Sequence, residues 1–431
     1  MSKIIIAGAG IGGLILAKEL EGKGHEVIIL EKNTLAALSF DWHDDVECGI
    51  VPEFNIDLTK IRHYPKQDWA FIFPEVDDII GLTIPDEKKD ISIHRRDLST
   101  WLIGELKEAE IQYGNAVKNV ICKDGRVVGV KTNKGDIFGD LIVDCCGVDS
   151  AVRSNLPDEF GVLQKIKDED VFNVYRGFYK RTDAKKEEFT NKAYLRHLGR
   201  PGISWALDKG DHVDVLVGNA GKITKSELTI SLEHLKEVND VLSDEIFSSA
   251  ICRIPVRRPL EKMFANGYVA LGDSACMTIP MLGSGIASSM RAGRILAKVI
   301  EESGGTFTEE KLYPYQERVN KLFGASHAAI DVLKCWLLNE SASVLGFFVS
   351  KKIVVKEDMQ AAAEGGVVKI GFGQIVKRAM RGLGNLSALM RLAKILSKQK
   401  KAQKLWSNPP AVYDVNKYQK WKEKAEKIFL K

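Results

Sequence analysis

The segment from Lys3 to Glu31 constrains the fold more than any other part of the 431-residue chain. It opens with the β-branched apolar run KIIIA, which predicts a short buried strand of a parallel sheet. Next come the glycine-rich turn GAGIGG (residues 8–13), an apolar-periodic stretch that predicts a helix ending at Gly24, and a second predicted strand, EVIILE. Strand, glycine turn, helix and strand in this order predict the βαβ unit of a dinucleotide-binding α/β domain.

The turn residues have separate chemical tasks. Gly8 permits the tight turn, Gly10 lets the backbone approach a pyrophosphate, and Gly13 lets helix and strand pack closely. The helix N-terminus offers N–H groups and a partial positive charge to the phosphates, and Glu31 can accept hydrogen bonds from the adenosine ribose. The motif does not separate NAD from FAD. The dinucleotide site is predicted at Gly8, Gly10, Gly12, Gly13, Glu31 and Lys32.

Three later segments carry a related signal. Residues 91–102, ISIHRRDLSTWL, predict an amphipathic helix with a basic first turn. Residues 139–153, GDLIVDCCGVDSAVR, predict a buried strand and a polar turn. Residues 267–293, GYVALGDSACMTIPMLGSGIASSMRAG, predict a strand, a loop and a helix that opens near Gly285. The Asp273 carboxylate can accept hydrogen bonds from ligand hydroxyls, and the helix can direct its N–H groups at negative charge on a ligand.

These segments resemble, in order, the motifs HRxxLxxxL, DGxxSxVR and GDAAxxxxPxxGxGixxAxxxG of flavoproteins in the para-hydroxybenzoate hydroxylase fold group. In the second motif Cys146 stands where the family has aspartate. The resemblance implies FAD as the cofactor. It also implies further cofactor-binding residues, namely Arg95, Gly272, Asp273, Pro280, Gly283, Gly285 and Ile286.

A short segment after the first βαβ unit narrows the resemblance. Cys48-Gly49 is similar to the CGG sequence that geranylgeranyl reductases carry close to the flavin, with Ile50 in place of the second glycine. Trp205, in ISWALD, matches the tryptophan of that family's YxWxFP motif. The chain therefore resembles the geranylgeranyl reductase family over about residues 1–330.

Membership of that family implies an enzyme, an FAD-dependent oxidoreductase that acts on CH–CH bonds. It would reduce C=C bonds in the isoprenoid chains of lipids with hydride from flavin N5. Cys48 and Trp205 are then candidate catalytic residues. Each has a structural alternative, because free cysteine is usually a small buried hydrophobe and tryptophan in an alternating strand is usually core.

Two other functions stay open. A flavin-dependent monooxygenase of the same fold would hydroxylate its substrate, and a non-catalytic flavin protein would carry electrons. Cys48-Gly49 and the missing aspartate of the second motif count against the hydroxylase. No second GxGxxG occurs. An NAD(P)H donor would therefore bind without its own Rossmann unit, and ferredoxin is the other expected electron donor.

The fold class predicted from these features is α/β, with three parts. A discontinuous Rossmann-like FAD-binding domain of the glutathione-reductase and para-hydroxybenzoate hydroxylase type is expected over 1–165 and 250–305. Residues 60–90 are expected to contribute to its substrate side. An inserted antiparallel sheet over 166–249 would form the substrate domain. A helical, basic C-terminal region would cover 306–431, where the apolar stretch Ala328 to Ser350 predicts either a domain-packing helix pair or the wall of a tunnel.

The C-terminal region is strongly basic, with 16 Lys and Arg against three acids from Lys369 onward. Apolar residues recur every three or four positions from Val376 to Leu396, with basic residues between them. This pattern predicts a basic amphipathic helix that either lies on an anionic membrane surface or packs on the protein body. No nucleic-acid recognition module accompanies the charge, so nucleic acid is not an expected partner.

The seven cysteines are scattered and contain no CxxC, so neither a metal site nor a disulfide framework is expected. The first residues do not resemble a signal peptide, and no long stretch lacks charge. A cytoplasmic protein is predicted, and peripheral contact with the inner face of the membrane is left open.

Overall fold

The computed structural model describes residues 1–66, 68–74, 79–82, 90–185, 189–358 and 372–430. A six-stranded sheet holds the predicted βαβ unit. Its strands are β1 (Lys3–Ala7), β2 (Glu26–Glu31), β8 (Glu110–Tyr113), β12 (Leu141–Asp144), β18 (Phe264–Ala265) and β19 (Tyr268–Ala270). They lie in the order β18-β19-β12-β1-β2-β8, and every neighbouring pair is parallel except β18 with β19.

A second sheet of seven strands, called here the roof sheet, covers one side of the site. Its strands are β5 (Trp69–Ile72), β6 (Ile79–Leu82), β13 (Val171–Arg181), β14 (Asn191–Leu195), β15 (Gly202–Asp208), β16 (His212–Ala220) and β17 (Leu242–Pro255). The order is β17-β13-β16-β15-β14-β5-β6, and only the β14–β5 pair is parallel.

Two small sheets complete the β-structure of the described residues. One joins β3 (His43–Val46), β7 (Ile91–His94) and β4 (His63–Pro65), and the other joins β11 (Gly135–Phe138), β10 (Arg126–Thr132) and β9 (Val117–Lys123). The α-helices are α1 (Ile11–Leu20), α2 (Ile50–Glu53), α3 (Arg95–Gly104), α4 (Lys225–Glu237), α5 (Ile286–Ser303), α6 (Glu309–Val319), α7 (Ala325–Asn339), α8 (Ala342–Ser350), α9 (Phe372–Arg381), α10 (Leu386–Ser407) and α11 (Val415–Phe429).

Two predicted helix boundaries differ from the structure. Helix α1 ends at Leu20 rather than Gly24, because the chain turns at Gly22, where φ is +71°. Residues 91–94 form β7 and not the start of a helix, because they pair with β3 and β4. The helix begins only at Arg95, where the His94 ring nitrogen caps it by accepting the Asp97 N–H at 3.3 Å.

The predicted basic helix over 376–396 is two helices. Helix α9 ends at Arg381, and α10 begins at Leu386. Gly382 and Gly384 weaken helix propensity between them, and the Asn385 side chain caps α10 by accepting the Ala388 N–H at 3.1 Å. The amphipathic pattern therefore occupies two successive helices rather than one long rod.

The division into domains stays a prediction. In the described residues, β17 continues to Pro255 and so crosses the expected boundary at residue 250. From the segment 60–90, β4 joins a small sheet while β5 and β6 extend the roof sheet. Residues 67, 75–78 and 83–89 of that segment lie outside the described residues.

No single helix of the described ranges is long and apolar enough to cross a membrane. One bent pair, Glu309–Asn339 with Ala342–Ser350, meets the length and composition criteria together across a bend of 112°.

Close helix packing beneath the first sheet depends on a glycine, which gives a stability prediction. A Cβ at Gly293 of α5 would lie 2.6 Å from the Gly12 carbonyl oxygen of α1. Gly293→Ala should therefore lower the free energy of unfolding by about 1–3 kcal/mol in chemical denaturation. Gly104→Ala is the matched control, because a Cβ there meets open space. That change should be neutral or stabilising by up to about 1 kcal/mol, and equal effects of the two variants would contradict the packing account.

Candidate active site

One cavity of about 1660 Å³ lies between the first sheet, the roof sheet and the C-terminal helices. Every residue that the sequence placed in the site lines it. The cofactor-binding candidates there are Gly8, Gly10, Gly12, Gly13, Glu31, Lys32, Arg95, Gly272, Asp273, Pro280, Gly283, Gly285 and Ile286, and the catalytic candidates are Cys48 and Trp205. Four sequence segments that are far apart in the chain thus meet at one place.

The glycine turn forms one end of the cavity. Gly8 has φ +101°, and a Cβ there would lie 2.5 Å from the Cys145 carbonyl oxygen, so this position requires glycine. Behind the turn, the buried Glu31 carboxylate accepts the Ala9 N–H at 3.0 Å and the Asn33 N–H at 2.8 Å. The first intrahelical bond of α1 runs from Leu14 to Gly10 at 3.0 Å. The preceding N–H groups of that helix are left for a ligand.

The segment before α5 forms a second polar wall. The Thr278 hydroxyl donates to Asp273 Oδ1 at 2.9 Å. Burial raises the pKa of Asp273, while the positive charge of Arg95 opposes that rise. A Cβ at Gly285 would lie 2.9 Å from Thr278 Oγ1, so the chain passes close to the loop before the helix opens. The free N–H groups of α5 and the Asp273 carboxylate therefore line one side of the cavity.

Asp144 orders the turn of the second motif, a role that the motif comparison missed. Its carboxylate accepts hydrogen bonds from the Ser150 hydroxyl at 2.5 Å, the Cys146 N–H at 3.0 Å and the Tyr268 hydroxyl at 3.0 Å. Burial raises the pKa of Asp144, and these donors oppose that rise. An acid directly after the buried run LIV was the available signal. The carboxylate thus comes from position 144, while Cys146 stands at the motif's aspartate position.

Cys48 lies in the turn before α2 and is exposed on the cavity wall. The surrounding segment is tied to the start of α5, because the Ser284 hydroxyl donates to the Asp45 carbonyl at 3.1 Å and Arg291 pairs with Glu53 at 2.7 Å. The segment that carries Cys48 is therefore held against the start of α5, and the exposed thiol does not fit the alternative of a small buried hydrophobe.

Strand register defines the face of the roof sheet that covers the cavity. It places Trp205 of β15 between Ala193 of β14 and Leu216 of β16, and Leu216 beside Arg176 of β13. The Trp205 ring meets Trp69 edge-to-face at 5.9 Å, and its indole N–H has no partner in the described residues. The part of this face around Trp205 and Leu216 is therefore aromatic and aliphatic, and the cation Arg176 lies at its β13 side.

That cation, Arg176, is a second residue that sequence reasoning missed. It is buried and binds Asp214 through Nη2 and Nε at 2.7 and 3.0 Å. Its Nη1 donates to Asp44 at 3.2 Å, and Asp44 also accepts from Arg95 at 3.4 Å. The carboxylates keep the pKa of Arg176 above its ordinary value although burial opposes this. An arginine inside the alternating strand FNVYRGFYKR was the only signal.

The C-terminal helices enclose the other end of the cavity. The chamber there is lined by apolar side chains of α7, α8 and α10, including Leu337, Leu345, Phe348, Val349, Leu392 and Leu396. Arg378 and Asp358 also line it and neutralise each other across 2.5 Å. Residues 328–350 were expected to form either a domain-packing helix pair or the wall of a tunnel. The structure places both helices of this stretch, α7 and α8, against the cavity.

Comparisons with known proteins give a consistent result. No protein-family model matches the chain. The chain is 25% identical over 446 aligned positions to a digeranylgeranylglycerophospholipid reductase of Sulfolobus acidocaldarius, with 94% of this chain and 93% of the relative covered. A solved structure of a geranylgeranyl bacteriochlorophyll reductase-like protein from Thermoplasma acidophilum superposes with TM-score 0.70 at 18% identity, covering 91% of this chain and 99% of that one.

A third comparison bears on the fold. The structure of a probable FAD-dependent monooxygenase from Pseudomonas aeruginosa superposes with TM-score 0.58 at 16% identity, covering 78% of this chain and 97% of the other. These two solved structures confirm the predicted fold class, which is the fold of FAD-dependent oxidoreductases. The resemblance to the geranylgeranyl reductase family is likewise confirmed, because relatives with reductase names extend over almost the whole chain.

Proposed function

We propose that this protein is an FAD-dependent reductase of C=C bonds in the isoprenoid chains of lipids. One observation carries the proposal. One continuous cavity is lined by the residues of the dinucleotide motif, by the roof sheet and by apolar side chains of α7, α8 and α10 that form a chamber. A site for a small polar substrate would not need that chamber. The names of the relatives support the same substrate class.

The residues of the polar end fit FAD. The α1 N-terminus would hold the pyrophosphate, and Glu31 would bind the adenosine ribose. Glu31 makes two backbone hydrogen bonds and has lone pairs left for a hydroxyl. Asp273 would bind the ribityl chain, and the α5 N-terminus would face the pyrimidine edge. When bound and reduced, the flavin supplies the hydride that adds to one alkene carbon.

The rest of the cavity would orient the lipid and exclude water. Trp205 and Leu216 lie on the roof face beside the cation Arg176, and Phe348 lies in the chamber. Apolar walls offer an isoprenoid chain no hydrogen-bonding groups. The position of the chain in the cavity therefore depends on shape complementarity and on burial of its apolar surface. The bond to be reduced would lie under the roof sheet, and the remaining chain would extend into the chamber.

Alkene reduction also needs a proton for the second carbon, and we propose Cys48 as its source. Cys48 is exposed on the cavity wall, in the segment that is hydrogen-bonded to the residues before α5. A nearby alternative, His43, is poorly suited, because burial lowers its pKa to about 4 and leaves the imidazole without a proton to spare near neutral pH. Electrons would come from NAD(P)H or ferredoxin.

We further propose that four exposed side chains on α9, the following turn and α10 contact the membrane. Met380, Leu383, Leu386 and Met390, called here the apolar ridge, are 66%, 68%, 57% and 61% exposed. Exposed cations flank the ridge, including Arg381 and Lys394. Other residues of the same helices, Arg378 and Leu392, line the cavity. Lipid could therefore pass from an anionic bilayer surface to the chamber along one pair of helices.

The reductase proposal predicts an anaerobic reaction. Protein reduced with dithionite should be reoxidised by a geranylgeranylated phospholipid, with a gain of two hydrogens per double bond. Visible absorbance and product mass measure the two changes. A flavin that stays reduced until oxygen enters, with hydroxylated product, would favour a monooxygenase. Oxygen-dependent reoxidation without any organic product would favour an electron carrier.

The Cys48 proposal predicts a selective defect. Cys48→Ala should keep FAD bound but slow alkene reduction by roughly a hundredfold, the lower range for loss of a general acid. Single-turnover reoxidation with the lipid measures the rate. Cys122→Ala is the matched control, because Cys122 lies on β9 and is not among the cavity-lining residues. Unchanged turnover in Cys48→Ala would remove the thiol from the chemistry.

The apolar ridge predicts membrane binding that depends on charge. Sedimentation should recover the protein with phosphatidylglycerol vesicles more than with phosphatidylcholine vesicles, and less at high salt. Leu383→Glu/Leu386→Glu should weaken binding at least about tenfold, the equivalent of 1.4 kcal/mol. The control Ile230→Glu alters an exposed apolar residue on α4. Equal binding by the two variants would contradict the proposal.

A further inference from the structure

We propose that Arg176 is a positioning residue that acts through Asp44, and that the two fix Arg95 and the local charge beside the flavin. The proposal rests on the FAD binding proposed above. Four alternating charges form the connection, here called the charge bridge: Arg95, Asp44, Arg176 and Asp214. It links the helix after β7 to two strands of the roof sheet.

In the charge bridge, the Asp44 carboxylate pairs with two guanidinium groups, one at each of its oxygens. Arg95 Nη1 lies 3.4 Å from Asp44 Oδ2, and Arg176 Nη1 lies 3.2 Å from Asp44 Oδ1. The Trp42 indole also donates to Oδ2, at 3.3 Å. With both oxygens engaged, Asp44 cannot turn without losing one of its cationic partners. The carboxylate therefore transmits the position of Arg176 to Arg95.

Arg176 itself is held rigidly. Its other donors bind Asp214 on the neighbouring strand at 2.7 and 3.0 Å and the His43 carbonyl oxygen at 2.7 Å. The guanidinium carbon lies 4.9 Å from the Trp42 ring centroid. Both Arg176 and Asp214 are buried. A buried guanidinium keeps its charge, so its partners must stay in place.

The same contacts hold the segment that leads to Cys48. Arg176 binds the backbone at His43, the side chain of Asp44 and the ring of Trp42, and these residues lie four to six positions before Cys48 in the chain. Through this segment the roof sheet determines where the cavity wall stands. Among the described residues, Trp205 makes no comparable contact with residues 42–44, although it is the roof residue that the family motif indicates.

These charges converge on one region under the roof. Cys252 of β17 lines the cavity beside Val174 of β13. Burial raises its pKa to about 11, and Arg95, Asp44, Arg176 and Asp273 all act on it electrostatically. Asp273 is the proposed ribityl contact, and the family resemblance implies that Arg95 also binds the cofactor. Any flavin held by them would therefore lie within reach of the charge bridge, and reduction of a flavin adds negative charge there.

The test uses the sign of a redox shift. Asp44→Asn removes a negative charge and should raise the FAD midpoint potential, whereas Arg176→Gln removes a positive charge and should lower it. The double variant Asp44→Asn/Arg176→Gln should return close to the wild-type potential. Asp44→Asn should also weaken FAD binding about two- to fivefold, measured by fluorescence quenching. The control Glu245→Gln breaks an exposed pair with Lys180 on the outer part of the roof sheet and should change neither quantity.

If Arg176→Gln fails to fold because Asp214 loses its partner, Asp44→Asn still tests the proposal. That variant preserves the Arg176–Asp214 pair. Arg176→Gln/Asp214→Asn removes that pair without an unpaired buried charge. It should still lower the FAD affinity, because Asp44 loses its anchor. Potentials that do not move, or that move in the same direction for Asp44→Asn and Arg176→Gln, would overturn the proposal.

Failure of the proposed function has a different signature. Wild-type protein that binds no FAD would overturn both proposals. Opposite potential shifts in a protein that reduces no lipid would support the charge bridge and overturn only the lipid reductase.

Discussion

The close approach of Gly8 to the Cys145 carbonyl oxygen is the constraint on which the rest of the site depends. A Cβ there would lie 2.5 Å from that oxygen, and the backbone has φ +101°. Because glycine removes the clash, the carboxyl ends of β1 and β12 lie side by side and α1 begins directly above them. This arrangement brings the turn that Asp144 orders next to the N-terminus of α1. The dinucleotide end of the cavity is thus built by backbone geometry.

The two ends of the cavity are stabilised by different physical effects. At the end that contains the glycine turn, helix N–H groups and buried carboxylates need polar partners. Hydrogen bonds to such partners offset the free-energy cost of burying polar and charged groups. At the other end, the α7, α8 and α10 side chains are apolar, and filling that space would remove hydrocarbon from water. The roof sheet joins the ends with aromatic residues and with Arg176, a cation that Asp214 neutralises. A molecule with a long apolar chain matches this gradient, which is why we favour a lipid substrate.

Sequence reasoning reached the parts of the site that local backbone chemistry determines. The βαβ unit and the α5 entry were predictable because glycines and short apolar strands have strong local preferences. Asp44 and Arg176 were not, because their partners are 38 to 132 residues away in the chain, and no local pattern marks such a pair. The break between α9 and α10 was also missed. The regular spacing of apolar residues predicts one helix that continues through Gly382 and Gly384. In the structure, the Asn385 side chain instead caps the start of a new helix, α10.

The central claim is that one cavity holds a flavin at its polar end and an isoprenoid chain at its apolar end. Photo-crosslinking with a geranylgeranyl phospholipid that carries a diazirine at the chain terminus tests it most directly, with labelled peptides mapped by mass spectrometry. We predict labels on α7, α8 and α10 near Leu337, Phe348 and Leu392, and their loss when excess unlabelled lipid competes. Labels confined to the apolar ridge or spread over the surface would contradict the claim, because the chain would then lie outside the chamber.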